Sequence, residues 1–169
     1  VGIQQAGYWE AITRISSYYL LFVSSLLTLY FLPKLAAAKN NQETKDVFWR
    51  YYKNIFPLIF VGLTVLYFAR FLIVKILFTN EFIPVTTLFF WQLFGDLLKM
   101  ASWILGYQFF AKKLTTAYII TELFSLSVTY FSSIYLVRTI GIEGVVMAHA
   151  LTYFVYLFVL SVYFRRSLF

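Results

Sequence analysis

Residues 144–164 read GVVMAHALTYFVYLFVLSVYF. The run contains no Lys, Arg, Asp or Glu and one histidine, His149. It is as long as the roughly 20 apolar residues that a helix needs to cross a hydrocarbon core. A membrane β-strand would need about ten residues alternating between lipid-facing and lumen-facing side chains. Tyr153–Val162 does not alternate, and neither does Phe60–Ala69. Only helices and closed barrels satisfy every backbone hydrogen bond inside a bilayer, so the run predicts a membrane helix.

Four more runs of the same kind lie upstream, at about 11–35, 54–77, 85–111 and 114–137. With 144–164 they make five predicted transmembrane helices in an all-α polytopic membrane protein, a single lobe over residues 1–169. The composition leaves no soluble alternative. Apolar residues are 62% of the chain and charged residues 12%, against roughly 45–50% and 25% in soluble domains. The 14 Tyr and 4 Trp suit a chain with many interface positions. The chain opens at Val1 rather than Met and no basic segment precedes its first apolar run, which predicts a piece of a longer protein without a signal peptide.

The charges mark the loops. Net charge is +7, which in a soluble chain points to nucleic acid, but here the basic residues fall between apolar runs and read as topology signals, with no nucleic-acid partner. Lys34, Lys39, Lys45, Arg50 and Lys53 sit at or in the segment 36–53, Lys112 and Lys113 separate the third and fourth runs, and Arg165 and Arg166 follow the fifth. Lys75 and Arg138 lie near the opposite ends, beside Glu81 and Glu143. The excess predicts 38–53, 112–113 and the C-terminus in the cytoplasm, and 79–83 and 139–143 outside. Pro33, Pro84, Gly141 and Gly144 fall at run ends or in turns, whereas Pro57, Gly62, Gly95 and Gly106 fall inside runs, where glycine permits close helix packing.

A charge at the bilayer centre costs at least about 2.5–3.5 kcal/mol, so ionisable residues inside spans are the candidates for function. They are Arg14, Arg70, Asp96, Lys99, Glu122 and His149. Asp96 and Lys99 lie three apart and share a helix face. They form an intrahelical ion pair, or they line a wet cavity in which Lys99 meets an anionic ligand. Glu122 pairs with Lys99 across the helix hairpin, or takes a proton or cation. Arg14, one turn into its helix, can snorkel to the interface; Arg70 lies deeper and is placed at a cavity. His149 reads as a packing histidine. Ser16, Ser17, Tyr18, Tyr19, Ser24 and Ser25 make part of the first helix polar, for packing or for sugar hydrogen bonding. With no cysteine there is no disulfide or thiolate metal site, and one histidine is too few for a His-based one. No nucleotide-binding glycine loop, HExxH or triad pattern occurs, and no loop is long enough for a catalytic domain.

Three stretches, taken together, resemble a known family. They are GYWEAITRISSYYLLFVSSLLTLYFLPKLA (7–36), FWQLFGDLLKMASWILGYQFFAKK (90–113) and GIEGVVMAHALTYFVYLFVLSVYFRR (141–166). They are similar to the C-terminal half of the O-antigen translocases, the Wzx-type lipid-linked oligosaccharide flippases, and most of all to the lipid III flippases of enterobacterial common antigen. The most specific part is carried by Trp91, Gln92, Leu93, Gly95, Asp96, Leu98, Lys99, Gly106, Tyr107, Ala111 and Lys112. The resemblance implies a bacterial inner-membrane transporter of two six-helix lobes. This chain would supply most of the second lobe, and the N-terminal lobe would be its missing partner. It implies movement of an undecaprenyl-diphosphate-linked glycan between leaflets by alternating access, with no cofactor. The charge of such a cargo singles out as the substrate-binding set Arg14, Arg70 and Lys99 on the diphosphate, Asp96 holding Lys99, and Glu122. Three other readings stand beside it: a drug/cation antiporter of the same superfamily relying on Glu122, a membrane-embedded transferase built on His149 and Asp96, and a membrane subunit acting only with a partner chain.

Overall fold

The structure, a computed structural model, describes residues 2–168. Its regular elements are all helical: α1 Ile3–Leu26, a π-helical turn Leu27–Phe31, α2 Leu32–Ala37, α3 Asn41–Phe68, α4 Arg70–Leu77, a 3-10 helix Asn80–Thr87, α5 Phe89–Ala111, α6 Thr115–Ile140, α7 Glu143–Tyr163 and α8 Arg165–Leu168. α1, the π turn and α2 form one rod, Ile3–Ala37. That rod, α3, α6 and α7 are long and apolar enough to cross a membrane, and the 3-10 helix with α5, bent by 56°, makes a fifth span if the pair is counted as one. The protein is an all-α polytopic membrane protein, as the apolar runs predict.

α5 is the central helix. It buries Phe89, Leu93, Met100, Ile104, Leu105 and Phe109 together with Gln92, Asp96, Ser102 and Gln108. α7 packs along it most extensively, α6 backs onto α7, and α1, α2 and α3 cover other parts of it. α6 buries only Thr121 and Ser125. Leu58, Phe68, Leu123, Phe131 and Phe158 all point outward. Large apolar side chains pointing outward around an apolar core that also holds a few polar groups suit a hydrocarbon surround.

Two glycines set the close approaches. A Cβ at Gly95 would run into the His149 ring and come within 3.1 Å of the Ala150 backbone, so α5 and α7 touch backbone to backbone here. A Cβ at Gly144 would strike the Leu136 carbonyl, which sets the tightness of the α6–α7 hairpin. Gly141 turns that hairpin at φ +77°, a conformation that costs glycine nothing.

The structure corrects four boundaries. The segment 36–53 is mostly helix rather than loop. α3 begins at Asn41, because the Asn40 side chain accepts the Glu43 N–H at 2.8 Å while Glu43 accepts the Lys39 N–H at 2.8 Å. This reciprocal cap satisfies donors that the first turn leaves open. The predicted span 54–77 is broken at Ala69 between α3 and α4. The predicted span 85–111 begins in the 3-10 helix and turns by 56° before α5. The first helix starts eight residues before the predicted Ala11, at Ile3; Tyr8 there donates to the Glu81 carbonyl at 3.0 Å and packs edge-on against Phe82.

Candidate functional site

Four helices present polar side chains at helical spacing. On α5 the stripe is Gln92, Asp96, Lys99 and Trp103; on α7 it is His149, Tyr153 and Tyr156; on α1 it includes Ser16, Tyr19 and Ser24; on α6 it includes Glu122 and Thr129. Steps of three and four residues keep the α5 and α7 sets, and Ser16 with Tyr19 on α1, each on one face.

The stripes meet at Asp96, whose side chain is fully buried. Its Oδ2 accepts from Ser16 Oγ at 2.7 Å, from Tyr19 OH at 2.5 Å and from Gln92 Nε2 at 3.2 Å. Its Oδ1 stands 2.9 Å from His149 Nε2, which donates to it. One carboxylate thus ties α1, α5 and α7 together. Charge-assisted bonds of this kind are roughly twice as strong as neutral ones. Gln92 supports from one turn below, and the His149 ring rests edge-on against Tyr153 at 5.0 Å. The Ser16 and Tyr19 hydroxyl oxygens, three residues apart on α1, lie 2.9 Å from each other as they converge on Asp96 Oδ2.

Lys99 is half-buried and stands apart from this hub. Among the described residues no carboxylate lies within 4.0 Å of its ammonium. The Nζ instead lies 5.4 Å from the centre of the Trp103 ring and 5.2 Å from that of Tyr153. Aromatic faces attract a cation without neutralising it. The expected Asp96–Lys99 ion pair is therefore not formed. The Asp96 carboxylate is filled by four donors from α1, α5 and α7, and the Lys99 ammonium lies one turn further along, between Trp103 and Tyr153. Both line a recess of about 250 Å³ with His149, Ser17 and Thr129.

The other predicted site residues lie in different places. Glu122 accepts from Tyr156 OH at 2.6 Å, in a second recess of about 210 Å³ that Trp103 and Tyr107 also line. Arg14 is exposed and bonded to Glu10 at 2.7 and 3.0 Å. Arg70 follows the helix break: its guanidinium donates to the Tyr67 carbonyl at 2.8 Å and covers the Tyr67 and Phe71 rings at 4.3 and 4.7 Å. It serves carbonyls freed where α3 ends. The structure thus gathers Asp96, Lys99 and Glu122 along one seam and places Arg14 and Arg70 in separate contacts. His149, read from the sequence as a packing residue, is a partner in the hub. Ser16, Tyr19 and Gln92 join the hub, and Trp103, Tyr153 and Tyr156 stand by Lys99, His149 and Glu122; the signal in the sequence is their spacing of three and four residues from Asp96, Lys99 and His149 or from each other along each helix. Among the described residues no three His, Cys, Asp or Glu side chains converge to hold a metal ion.

The chain is 27% identical over 152 residues to the lipid III flippase of Escherichia coli (strain K12), an alignment covering 90% of this chain and 36% of that protein. The lipid III flippase of Shigella flexneri matches to the same extent. This similarity supports a flippase-family relationship. The chain spans about a third of the length of these relatives. No family model and no solved structure matches it. Nine-tenths coverage means that the match extends over several helices rather than resting on one apolar segment.

Proposed function

We propose that the chain forms most of one lobe of a flippase that moves a polyisoprenyl-diphosphate-linked oligosaccharide from the cytoplasmic to the periplasmic leaflet of a bacterial inner membrane by alternating access. The observation that carries this reading is Lys99, a cation on a membrane helix with aromatic faces and no carboxylate against it. A lipid diphosphate brings negative charge into the bilayer, and an ammonium held free of ion pairing is available to meet it. The polar seam beside it supplies a wettable path, and the similarity to lipid III flippases supplies the class of cargo. Helices beyond these residues complete the cavity, since the relatives are nearly three times as long as the matched segment. The broader O-antigen translocase role belongs to the same proposal.

Transport assays at matched membrane abundance test it. Lys99→Gln is expected to lower transport at least tenfold with little change in abundance, and Lys99→Arg to keep a measurable part. Because Asp96 is not the ion-pair partner of Lys99, the double variant Asp96→Asn with Lys99→Gln is expected to be no better than Lys99→Gln. Rescue by the double variant would end the substrate-contact reading.

The pairing of His149 with Asp96 at 2.9 Å is the one observation that favours a transferase instead. In that reading a lipid-linked product would accumulate in wild-type membranes without net translocation, and His149→Gln would abolish its formation.

The proposed orientation has its own test. Asn41 and Asn80 are both exposed and lie at opposite ends of the α3–α4 pair. A cysteine at position 80, and not at 41, is expected to react with a membrane-impermeant thiol reagent in intact cells; the reverse pattern would invert the topology.

A further inference from the structure

The recess around Glu122 is built for something other than the diphosphate. It lies between α1, α5, α6 and α7 and is walled by Trp103, Tyr107, Tyr118 and Tyr156. Among the described residues its carboxylate receives one hydrogen bond, from Tyr156, which leaves acceptor capacity on a residue that lines the recess. Ser102 at its inner wall is fully buried. Gly106 forms part of the floor, and a Cβ there would meet nothing nearer than Leu160 at 3.9 Å, so the space is real rather than a packing gap between touching backbones.

We infer that this recess is a sugar subsite, holding the first pyranose ring of the lipid-linked glycan while Lys99 holds the diphosphate. The inference rests on the flippase reading and specifies its cargo site. A pyranose offers C–H faces that lie against aromatic rings and hydroxyls that donate to a carboxylate, and the recess supplies both in one place. Trp103 joins the two sites: it lines the recess, and the Lys99 ammonium sits 5.4 Å from its ring centre. A diphosphate against Lys99 therefore presents its next group to Trp103. The same aromatic and acidic chemistry suits an organic cation, but the Lys99 ammonium already occupies the Trp103 neighbourhood and repels a second positive charge. A neutral ring is favoured.

The test uses the natural protein in membranes, with two probes: undecaprenyl diphosphate, and the same lipid bearing one glucose. The natural protein is expected to prefer the glucosylated lipid. Glu122→Gln is expected to reduce that preference about tenfold, the effect of losing one charge-assisted hydrogen bond. Gly106→Leu, which fills the floor, is expected to reduce it at least as much, with the bare lipid bound as before. Gly62→Leu, on a face where a Cβ meets nothing within 4 Å, is the control that leaves the preference intact. Equal binding of the two lipids by the natural protein, or a preference that survives both recess variants, overturns the subsite alone. Binding of neither lipid overturns the flippase reading and the subsite with it. Saturable binding of tetraphenylphosphonium that Glu122→Gln abolishes overturns the subsite in favour of an organic cation.

Discussion

Replacing Asp96 by alanine is expected to destabilise the protein more than any other single polar substitution. The change removes the shared acceptor of Ser16, Tyr19, Gln92 and His149. Interhelical hydrogen bonds in a membrane average about 0.6 kcal/mol, so the three from α1 and α7 contribute about 2 kcal/mol together. Removing one partner of a buried ionic group costs about 3–5 kcal/mol, which sets the upper end. Thermal unfolding of the detergent-solubilised protein is the measurement. Asp96→Asn keeps one acceptor oxygen and the shape of the side chain, and is expected to lose less than half as much. Lys99→Gln is expected to leave the unfolding temperature nearly unchanged, since Lys99 bonds to no part of the hub. Equal losses for Asp96→Ala and Lys99→Gln would refute the separation of a structural hub from a ligand-facing lysine.

Gly95→Ala is expected to be nearly as damaging, although it adds a single methyl group. That methyl has to occupy space held by the His149 ring and the Ala150 backbone. A ring on a side chain can swing away, but only by giving up its bond to Asp96, and the Ala150 backbone cannot move unless α7 moves with it. Overpacking costs about 1–3 kcal/mol and occasionally more, and here the broken His149 bond adds to it. Gly62→Ala, where the new methyl meets nothing within 4 Å, is expected to be neutral or to stabilise α3 by up to about 1 kcal/mol, because alanine is the better helix former. Protease resistance of the two variants in membranes would separate them. A Gly95→Ala protein as resistant as Gly62→Ala would show that α5 and α7 are less closely packed than described.

These two effects mark where the sequence was readable and where it was not. The spans follow from length and apolarity alone, because a bilayer leaves the backbone no alternative to helix. The Asn40–Glu43 cap was visible as N-x-x-E, yet Lys45, Asp46, Arg50 and Lys53 made the segment look like a solvated loop. A helix that extends past the hydrocarbon carries charges without penalty. Nothing in Tyr67–Phe68–Ala69–Arg70 signals a break, since neither proline nor glycine stands there; the break shows itself only through the Arg70 guanidinium on the Tyr67 carbonyl. For Asp96, local spacing offered Lys99 as a partner three residues on. Apart from Gln92 on the same helix, its partners lie 80, 77 and 53 residues away in sequence, and separations of that size are set by which helices pack together. Gly95, one residue before Asp96, was the clue that α5 meets another backbone at this level.

The π-helical turn at Leu27–Phe31 has a consequence for how α1 tolerates change. Its buried residues run Leu20, Val23, Leu27, Phe31 and Leu35, so the last three steps are of four residues each. An α-helix returns to the same direction every 3.6 residues. Three four-residue steps would overshoot by about 40° each and carry Leu35 roughly 120° away from the core. The wider π turn absorbs that excess and brings both halves of the rod back into phase. The turn thus works like a spacer in a gear train. Removing one residue from it would leave a regular α-helix with eleven steps from Val23 to Leu35, about 1100° in all and within about 20° of three whole turns, so Phe31 and Leu35 would still face the core with Ser16 and Tyr19 on Asp96. The rod can therefore lose one residue at this turn without a change of face, and a relative that lacks the spacer keeps its core residues in the same register beyond it.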